Sequence, residues 1–220
     1  FLMSIQEDAD DRNRDRRGRR FGFMRDTEEN LLRAIDLLQP LVESEANSEY
    51  SYLLARCYSA LSSVAKQEDR KFYISQANFQ LQRLVTANPG EDDYKFEFAI
   101  AKFRAASLNA NLNDRRKLTS EAVVLLDQIC GRNPDVFNYQ IARARALEQH
   151  ADILNRLALQ HELAMLESTD DSRSMEEQIV GQMLRIDATE EAVRAANLFF
   201  QSEQRFGKPY LKRLPGDYVV

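Results

Sequence analysis

Apolar positions recur along the middle of the chain with the period of an α-helix. Alanine, a leucine four residues later and a large apolar residue three further on form a stripe, and in two of three copies a proline follows after five more. The copies are Ala34-Leu38-Leu41-Ala46, Ala77-Leu81-Leu84-Pro89 and Ala122-Leu126-Ile129-Pro134. Positions i, i+4 and i+7 share one helix face. We therefore predict that Leu81, Leu84, Leu126 and Ile129 are buried between adjacent helical hairpins.

An Asn-Pro pair ends two of these stripes, and a second pattern follows each stripe. Asn88-Pro89 and Asn133-Pro134 predict helix ends, because a residue before proline is pushed out of the α region. Aromatic and small residues then alternate at Tyr50-Tyr52-Ala55-Cys57, Tyr94-Phe96-Ala99-Ala101 and Tyr139-Ile141-Ala144-Ala146. The two patterns together predict a helical hairpin that repeats about every 44 residues.

These residues resemble the tetratricopeptide family over about residues 27 to 150. Its second-helix signature matches both proline-ended stripes, and its first-helix signature matches Leu54-Ala55-Tyr58. Phe98-Ala99 matches in part, since Lys102 stands where an aromatic belongs, and Arg143-Ala144 departs further. The resemblance implies an all-α fold, an α-α solenoid of about three hairpins with a helical C-terminal cap. The repeat exceeds the family's usual length of about 34 residues, which longer helices or longer loops at Lys66–Lys71 and Leu108–Lys117 would absorb.

The pattern divides the chain into three parts. Residues 1–26 form a charged N-terminal segment or linker, residues 27–150 the repeats, and residues 151–220 a helical C-terminal cap and tail. Within the last two parts we predict one long helix over 136–167, a loop at Ser168–Ser172, and separate helices at Met175–Ile186 and Thr189–Phe206. Pro40 lies inside a stripe and is expected to kink or restart its helix.

The family resemblance also implies a binding groove, because the first helices of successive hairpins line a concave surface that binds extended peptides. With Ala55, Ala99 and Ala144 at the family's small position, the groove residues are Tyr52, Arg56, Phe96, Ile100, Phe103, Arg104, Ile141, Arg145 and Gln149. Apolar pockets interspersed with arginines suit an acidic-hydrophobic peptide, since arginine pairs bidentately with carboxylates. The alternative is that the apolar members belong to the core and the arginines are solvated.

Composition excludes one fold class and disfavours one class of partner. Only seven Gly and five Pro among 220 residues are too few for an all-β protein. A net charge of −5 with 30% charged residues argues against one large polyanion-binding face. The basic stretch of residues 12–20 is flanked by acidic residues that nearly neutralise it. The near balance of charge favours a solvated linker over a segment that binds nucleic acid, although a nucleic-acid-associated regulator stays open.

No catalytic, metal or cofactor motif is found in the sequence. His150 and His161 would lie about 16 Å apart on one helix, too far to share a metal ion. The pairs Asp92-Asp93 and Asp170-Asp171 are expected at helix starts, where carboxylates meet the helix dipole. Cys57 and Cys130 are expected to be separate buried thiols, and a disulfide between different repeats stays open. A count of two cysteines implies no oxidising compartment, and the cytoplasm is slightly favoured. An enzyme whose acidic residues converge in space stays open.

We therefore predict a non-catalytic scaffold or regulatory module that binds a protein or peptide. No small-molecule substrate or cofactor is implied, and a membrane would be reached only through a flanking segment beyond Phe1. Similar repeats are often appended to bacterial kinases and transcription-control proteins, so the family resemblance implies a domain of a signalling protein. Helix is expected over at least about two-thirds of the chain, without a sheet of three strands.

Overall fold

A computed structural model of the protein describes residues 26–45, 47–167 and 171–206. Seven α-helices and no strand account for these ranges, and 91% of the described residues are helical. The all-α prediction is therefore confirmed. The helices are α1 (26–44), α2 (Ser48–Val64), α3 (Gln67–Ala87), α4 (Asp92–Leu108), α5 (Leu112–Arg132), α6 (Phe137–Glu167) and α7 (Asp171–Phe206).

Helix lengths repeat with the sequence pattern. Both α2 and α4 have 17 residues, and both α3 and α5 have 21. The polar stretches within each hairpin are mostly helical, because the turns cover only residues 65–66 and 109–111. Asn111 starts α5 promptly by accepting the N–H groups of Asn113 and Asp114, at 2.8 and 3.1 Å. Longer helices, and not longer loops, therefore make the repeat longer than usual.

The two Asn-Pro turns have the same hydrogen bonds. Each Asn side-chain amide donates to the carbonyl four residues earlier, at 3.2 Å for Asn88 and 3.1 Å for Asn133. Each Asn carbonyl accepts the N–H three residues later, at 3.1 and 3.2 Å respectively. The asparagine side chain thus adds a second hydrogen bond to the carbonyl that already accepts the asparagine's own N–H. The sequence repeat is therefore also a repeat of local structure.

Two compact units divide the chain between Gln80 and Leu81, inside α3. In the first unit, the rings of Tyr58 on α2 and Tyr73 on α3 stack with centroids 6.4 Å apart. Burial raises the pKa of both tyrosines. Tyr73 and Asp36 raise the pKa of Tyr58 further, and Asp69 and Glu28 raise that of Tyr73. The described core of this unit combines apolar residues with two buried serines: Ile35, Leu54, Ala55, Tyr58, Ser59, Leu61, Ser62, Ala65, Ile74 and Ala77.

In the second unit, α5 packs against both α4 and α6, and α6 packs against α7. One core cluster joins all four helices through Ala99, Phe103, Ala122, Val123, Leu126, Ile129, Ala146, Leu147 and Ala195. A second joins α6 to α7 through Ile153, Leu154, Leu157, Ala158, Leu184 and Ala188. The stripe residues Leu81, Leu84, Leu126 and Ile129 are at most 4% exposed, so their predicted burial is confirmed.

The C-terminal helices differ from the prediction. The long helix expected over 136–167 is present as α6, but the two helices expected after it are wrong, because α7 is continuous from Asp171 to Phe206. The expected break falls at Ala188, which is fully buried against α6. The hydroxyl of Thr189 donates to the carbonyl of Arg185 at 2.8 Å, so this threonine bonds within the helix instead of starting a new one.

The described residues test the other helix and segment boundaries that the sequence predicted, some of them only in part. Ser172, expected in a loop, lies in α7, while residues 168–170 fall outside the described ranges. Helix α1 continues through Pro40 without restarting. Asp36 and Pro40 are both exposed, so water can reach the carbonyl that proline leaves without its donor. The predicted boundary at residues 150 and 151 falls inside α6.

The core position of Leu126 is testable by truncation. Leu126→Ala should lower the free energy of unfolding by about 2–5 kcal/mol, because it removes buried methyl groups and leaves a cavity. Val124→Ala is the matched control, since Val124 lies on the same helix and is 52% exposed. Urea denaturation followed by circular dichroism measures both. A loss below about 0.5 kcal/mol for Leu126→Ala would contradict the core position of this residue.

Candidate functional site

Helices α4 and α6 lie side by side and run parallel. Near their starts, the Tyr139 hydroxyl donates to the Asp93 carboxylate at 2.9 Å, and the Tyr139 and Phe96 rings lie 4.9 Å apart. Farther along, the Gln149 amide donates to the Ser107 hydroxyl at 2.9 Å. Residue numbers rise together along both helices, which identifies the parallel arrangement. The first helices of two successive hairpins are thus held together at two levels.

Seven of the nine predicted groove residues lie on these two helices. Phe103 and Ile141 are only 8% and 3% exposed, so these two belong to the core, as the alternative interpretation held. The other five are half-buried and keep part of their surface accessible: Phe96, Ile100, Arg104, Arg145 and Gln149. The candidate site on the second unit therefore rests on these five side chains.

Two arginines flank the seam between α4 and α6. Arg104 lies three residues before Ser107, and Arg145 lies four residues before Gln149. One helical turn therefore places each arginine on the same side of its helix as the Ser107–Gln149 contact. Burial lowers the pKa of Arg104, and the nearby Glu97 carboxylate acts in the opposite direction. The seam thus carries positive charge in a partly desolvated setting.

Tyr52 and Arg56, the other two predicted groove residues, lie on α2 in the first unit. The Arg56 guanidinium lies over the Tyr52 ring, 5.7 Å from its centroid. Arg56 is exposed and Tyr52 is half-buried, so both keep accessible surface. A single row that joins them to the arginines of α4 and α6 stays a prediction.

The two departures from the family signature have partners in the structure. The Lys102 ammonium lies 4.4 Å from the centroid of the Phe98 ring and 2.5 Å from the Glu121 carboxylate on α5. Arg143 pairs with the Asp127 carboxylate, also on α5. Each long side chain covers apolar surface with its stem and places its charge on the neighbouring helix. Both basic residues therefore substitute for packing that an apolar side chain would supply.

A cavity of about 320 Å³ between α5, α6 and α7 was missed by the sequence analysis. Its lining combines apolar Cys130, Leu198 and Phe206 with the polar groups of Arg143 and Ser202. Burial raises the pKa of the Cys130 thiol to about 11, so the thiol is protonated at neutral pH. The only signal in the sequence was Arg143, a charge where the repeat pattern expects an apolar residue.

The acidic pair Asp92-Asp93 lies in the first turn of α4, as predicted. Asp92 bonds to the end of α5 in its own hairpin, and Asp93 bonds to α6 in the next one. Asp92 accepts the Asn133 amide at 2.6 Å and pairs with Arg132, while Asp93 accepts the Tyr139 hydroxyl. These contacts tie the start of α4 to the turn between α5 and α6. The pair therefore has a stabilising role that accounts for its position.

Other sequence candidates are resolved only in part. Cys57 is half-buried, Cys130 is buried, and both are free thiols, which confirms separate cysteines. Asp171 starts α7, whereas Asp170 and the basic stretch of residues 12–20 lie outside the described residues. Within the described ranges, no group of three or more His, Cys, Asp or Glu side chains is placed to hold a metal ion. Across those ranges, no helix combines the length and apolar character needed to cross a membrane.

The chain matches no protein-family model, no curated protein and no solved structure. Its tetratricopeptide resemblance therefore rests on the residues and helices described above.

His150 lies on α6 beside the candidate site and is half-buried, with its ring nitrogens turned away from solvent. Both ring nitrogens are inaccessible and lack a hydrogen-bond partner among the described residues. Burial lowers its pKa. The positive charges of Arg116 and Arg194 lower the pKa further, while Asp187 opposes them. A proton on this ring would add charge to a desolvated place near two arginines, so the neutral imidazole is the stable form.

This histidine predicts a pH-dependent stability. A histidine whose pKa is lower in the folded state contributes its full share to the free energy of unfolding above the ordinary pKa of 6.5. This contribution is lost as the pH falls towards the folded-state pKa. The wild-type free energy of unfolding should therefore decrease between pH 7.5 and pH 5, and His150→Gln should flatten this decrease. Urea titrations at several pH values measure it. An equal slope in His150→Gln and wild type contradicts the assignment.

Proposed function

We propose that this protein is a tetratricopeptide-type α-α solenoid that acts as a non-catalytic scaffold or regulatory module, a domain of a larger signalling protein. The parallel contact between α4 and α6 carries the proposal, because side-by-side first helices are what a solenoid groove requires. Equal helix lengths in successive hairpins and the matching Asn-Pro turns support the same architecture.

The ligand we propose is an extended acidic-hydrophobic peptide. Arg104 and Arg145 supply positive charge along the α4–α6 seam, and Phe96 and Ile100 supply half-buried apolar surface. Arginine forms bidentate bonds with carboxylates. Apolar surface next to these arginines gives the peptide's leucine or aromatic side chains a place to be removed from water.

Arg145 is a better site for testing this proposal than Arg104. Burial of Arg104 beside Glu97 means that its reversal to glutamate would place two carboxylates in a desolvated setting and affect folding. Arg145 is half-buried and lies on the same side of the seam. Its substitution therefore reports on binding with less effect on the core.

A selection from a random 12-residue peptide library displayed on phage tests the ligand class. Wild-type protein should enrich peptides that combine Asp or Glu with Leu, Ile or Phe. Arg145→Glu should bind a synthetic copy of the enriched peptide about 10- to 150-fold more weakly, since a lost charge-assisted contact costs about 1.5–3 kcal/mol. Fluorescence polarisation gives the dissociation constants.

The matched control is Lys66→Glu, which reverses an exposed charge in a turn. Circular dichroism establishes that both variants are folded. If Arg145→Glu binds as tightly as Lys66→Glu, the peptide site lies elsewhere. Enrichment of basic peptides, or of none, contradicts the proposed ligand class.

A further inference from the structure

The outer face of α7 carries an exposed apolar stripe that runs along most of the helix. We name the α7 stripe for its six members, each 52% to 64% exposed: Met175, Ile179, Met183, Ile186, Val193 and Phe200. The opposite face of the helix packs on α6 through Gly181, Leu184 and Ala188, where a Cβ added at Gly181 would lie 3.5 Å from the Ala158 carbonyl oxygen. The α7 stripe therefore points away from the body of the second unit.

The spacing of the α7 stripe indicates a helical partner. Ile179, Ile186, Val193 and Phe200 follow one another at intervals of seven residues. A seven-residue repeat keeps side chains on a nearly straight line along a helix, which is the geometry of a helix–helix seam. The stripe is about 37 Å long at 1.5 Å per residue. The outer face of a helical repeat that ends in solvent is normally polar instead.

The order of helices in the second unit indicates how the partner is oriented. Each of α5, α6 and α7 packs on the helix before it. Along α6 and α7, His161 contacts Glu177 and Ala158 lies against Gly181, so the residue numbers run in opposite directions and the two helices are antiparallel. Likewise, α6 packs on α5 with Arg143 opposite Asp127, at similar distances from the connecting turn. The next helix in this series would therefore be antiparallel to α7.

We propose that a second copy of this chain covers the α7 stripe, with the two α7 helices antiparallel about a two-fold axis. A two-fold axis makes one apolar surface its own complement, so each copy supplies the antiparallel helix that continues the other's series. Within the span of the stripe, the exposed carboxylates of Glu176 and Glu190 lie close to its line, and an antiparallel pair with its axis near Ile186 keeps each of them away from its own copy.

Sedimentation equilibrium of the full chain tests the dimer. Wild type should be dimeric at micromolar concentration, and Ile186→Glu should weaken the dimer at least about 100-fold, because the axis places two unpaired charges in the contact. Leu163→Glu is the matched control, since Leu163 is 51% exposed on α6 outside the stripe and should leave the dimer intact. A monomeric wild type overturns the proposal, and a stability loss specific to Ile186→Glu in that monomer would point to cover by the chain's own residues, such as 207–220.

Disulfide trapping tests the orientation. In a background with both native cysteines replaced, cysteine is placed at Ile186 or Val193, about 10 Å apart along the helix. In an antiparallel pair, a residue lies opposite the same residue of the partner only near the two-fold axis. Such a pair therefore forms a disulfide in only one of the two single-cysteine variants, or only when the two variants are mixed. A parallel pair forms a disulfide in each variant by itself. A dimer that forms no disulfide in either variant or in their mixture uses another face. Either of these last two results overturns the proposal.

Discussion

Close approach of helices through alanine is the constraint on which the rest of this structure depends. Ala77, Ala99, Ala122 and Ala144 are fully buried, and they recur at equivalent places in successive hairpins. A larger side chain at any of these positions would overpack the core around it and push neighbouring helices apart. Close helix packing therefore depends on small residues, while the buried leucines supply apolar area.

Polar contacts at the hairpin turns then fix how the helices of the second unit align. Asn133 completes the end of α5 and bonds to Asp92 at the start of α4. Tyr139 bonds to Asp93 and stacks against Phe96. These bonds are directional, whereas apolar packing tolerates sliding along the helix axis. The Asn-Pro turn thus ends one helix and also sets the level at which α6 meets α4.

The two surfaces proposed for binding differ in their chemistry. The α4–α6 seam mixes arginine, amide and apolar groups, which suits recognition of a peptide by charge and by side-chain pockets. The α7 stripe is apolar with a seven-residue spacing, which suits a helix. A module with both properties would carry two peptide sites per dimer, and two linked sites bind a divalent partner more tightly than either site alone.

The sequence by itself determined the helical class, the hairpin repeat, its Asn-Pro ends and the burial of Leu81, Leu84, Leu126 and Ile129, because these depend on local periodicity and backbone chemistry. The tertiary structure decided the features that depend on contacts between helices. Ala188 and Thr189 looked like a helix boundary, but packing on α6 and a bond within the helix keep α7 continuous. Phe103 and Ile141 shared the groove pattern with Phe96, yet packing against neighbouring helices buries them. The cavity beside Arg143 arises where three helices meet, and no single stretch of sequence encodes such a meeting.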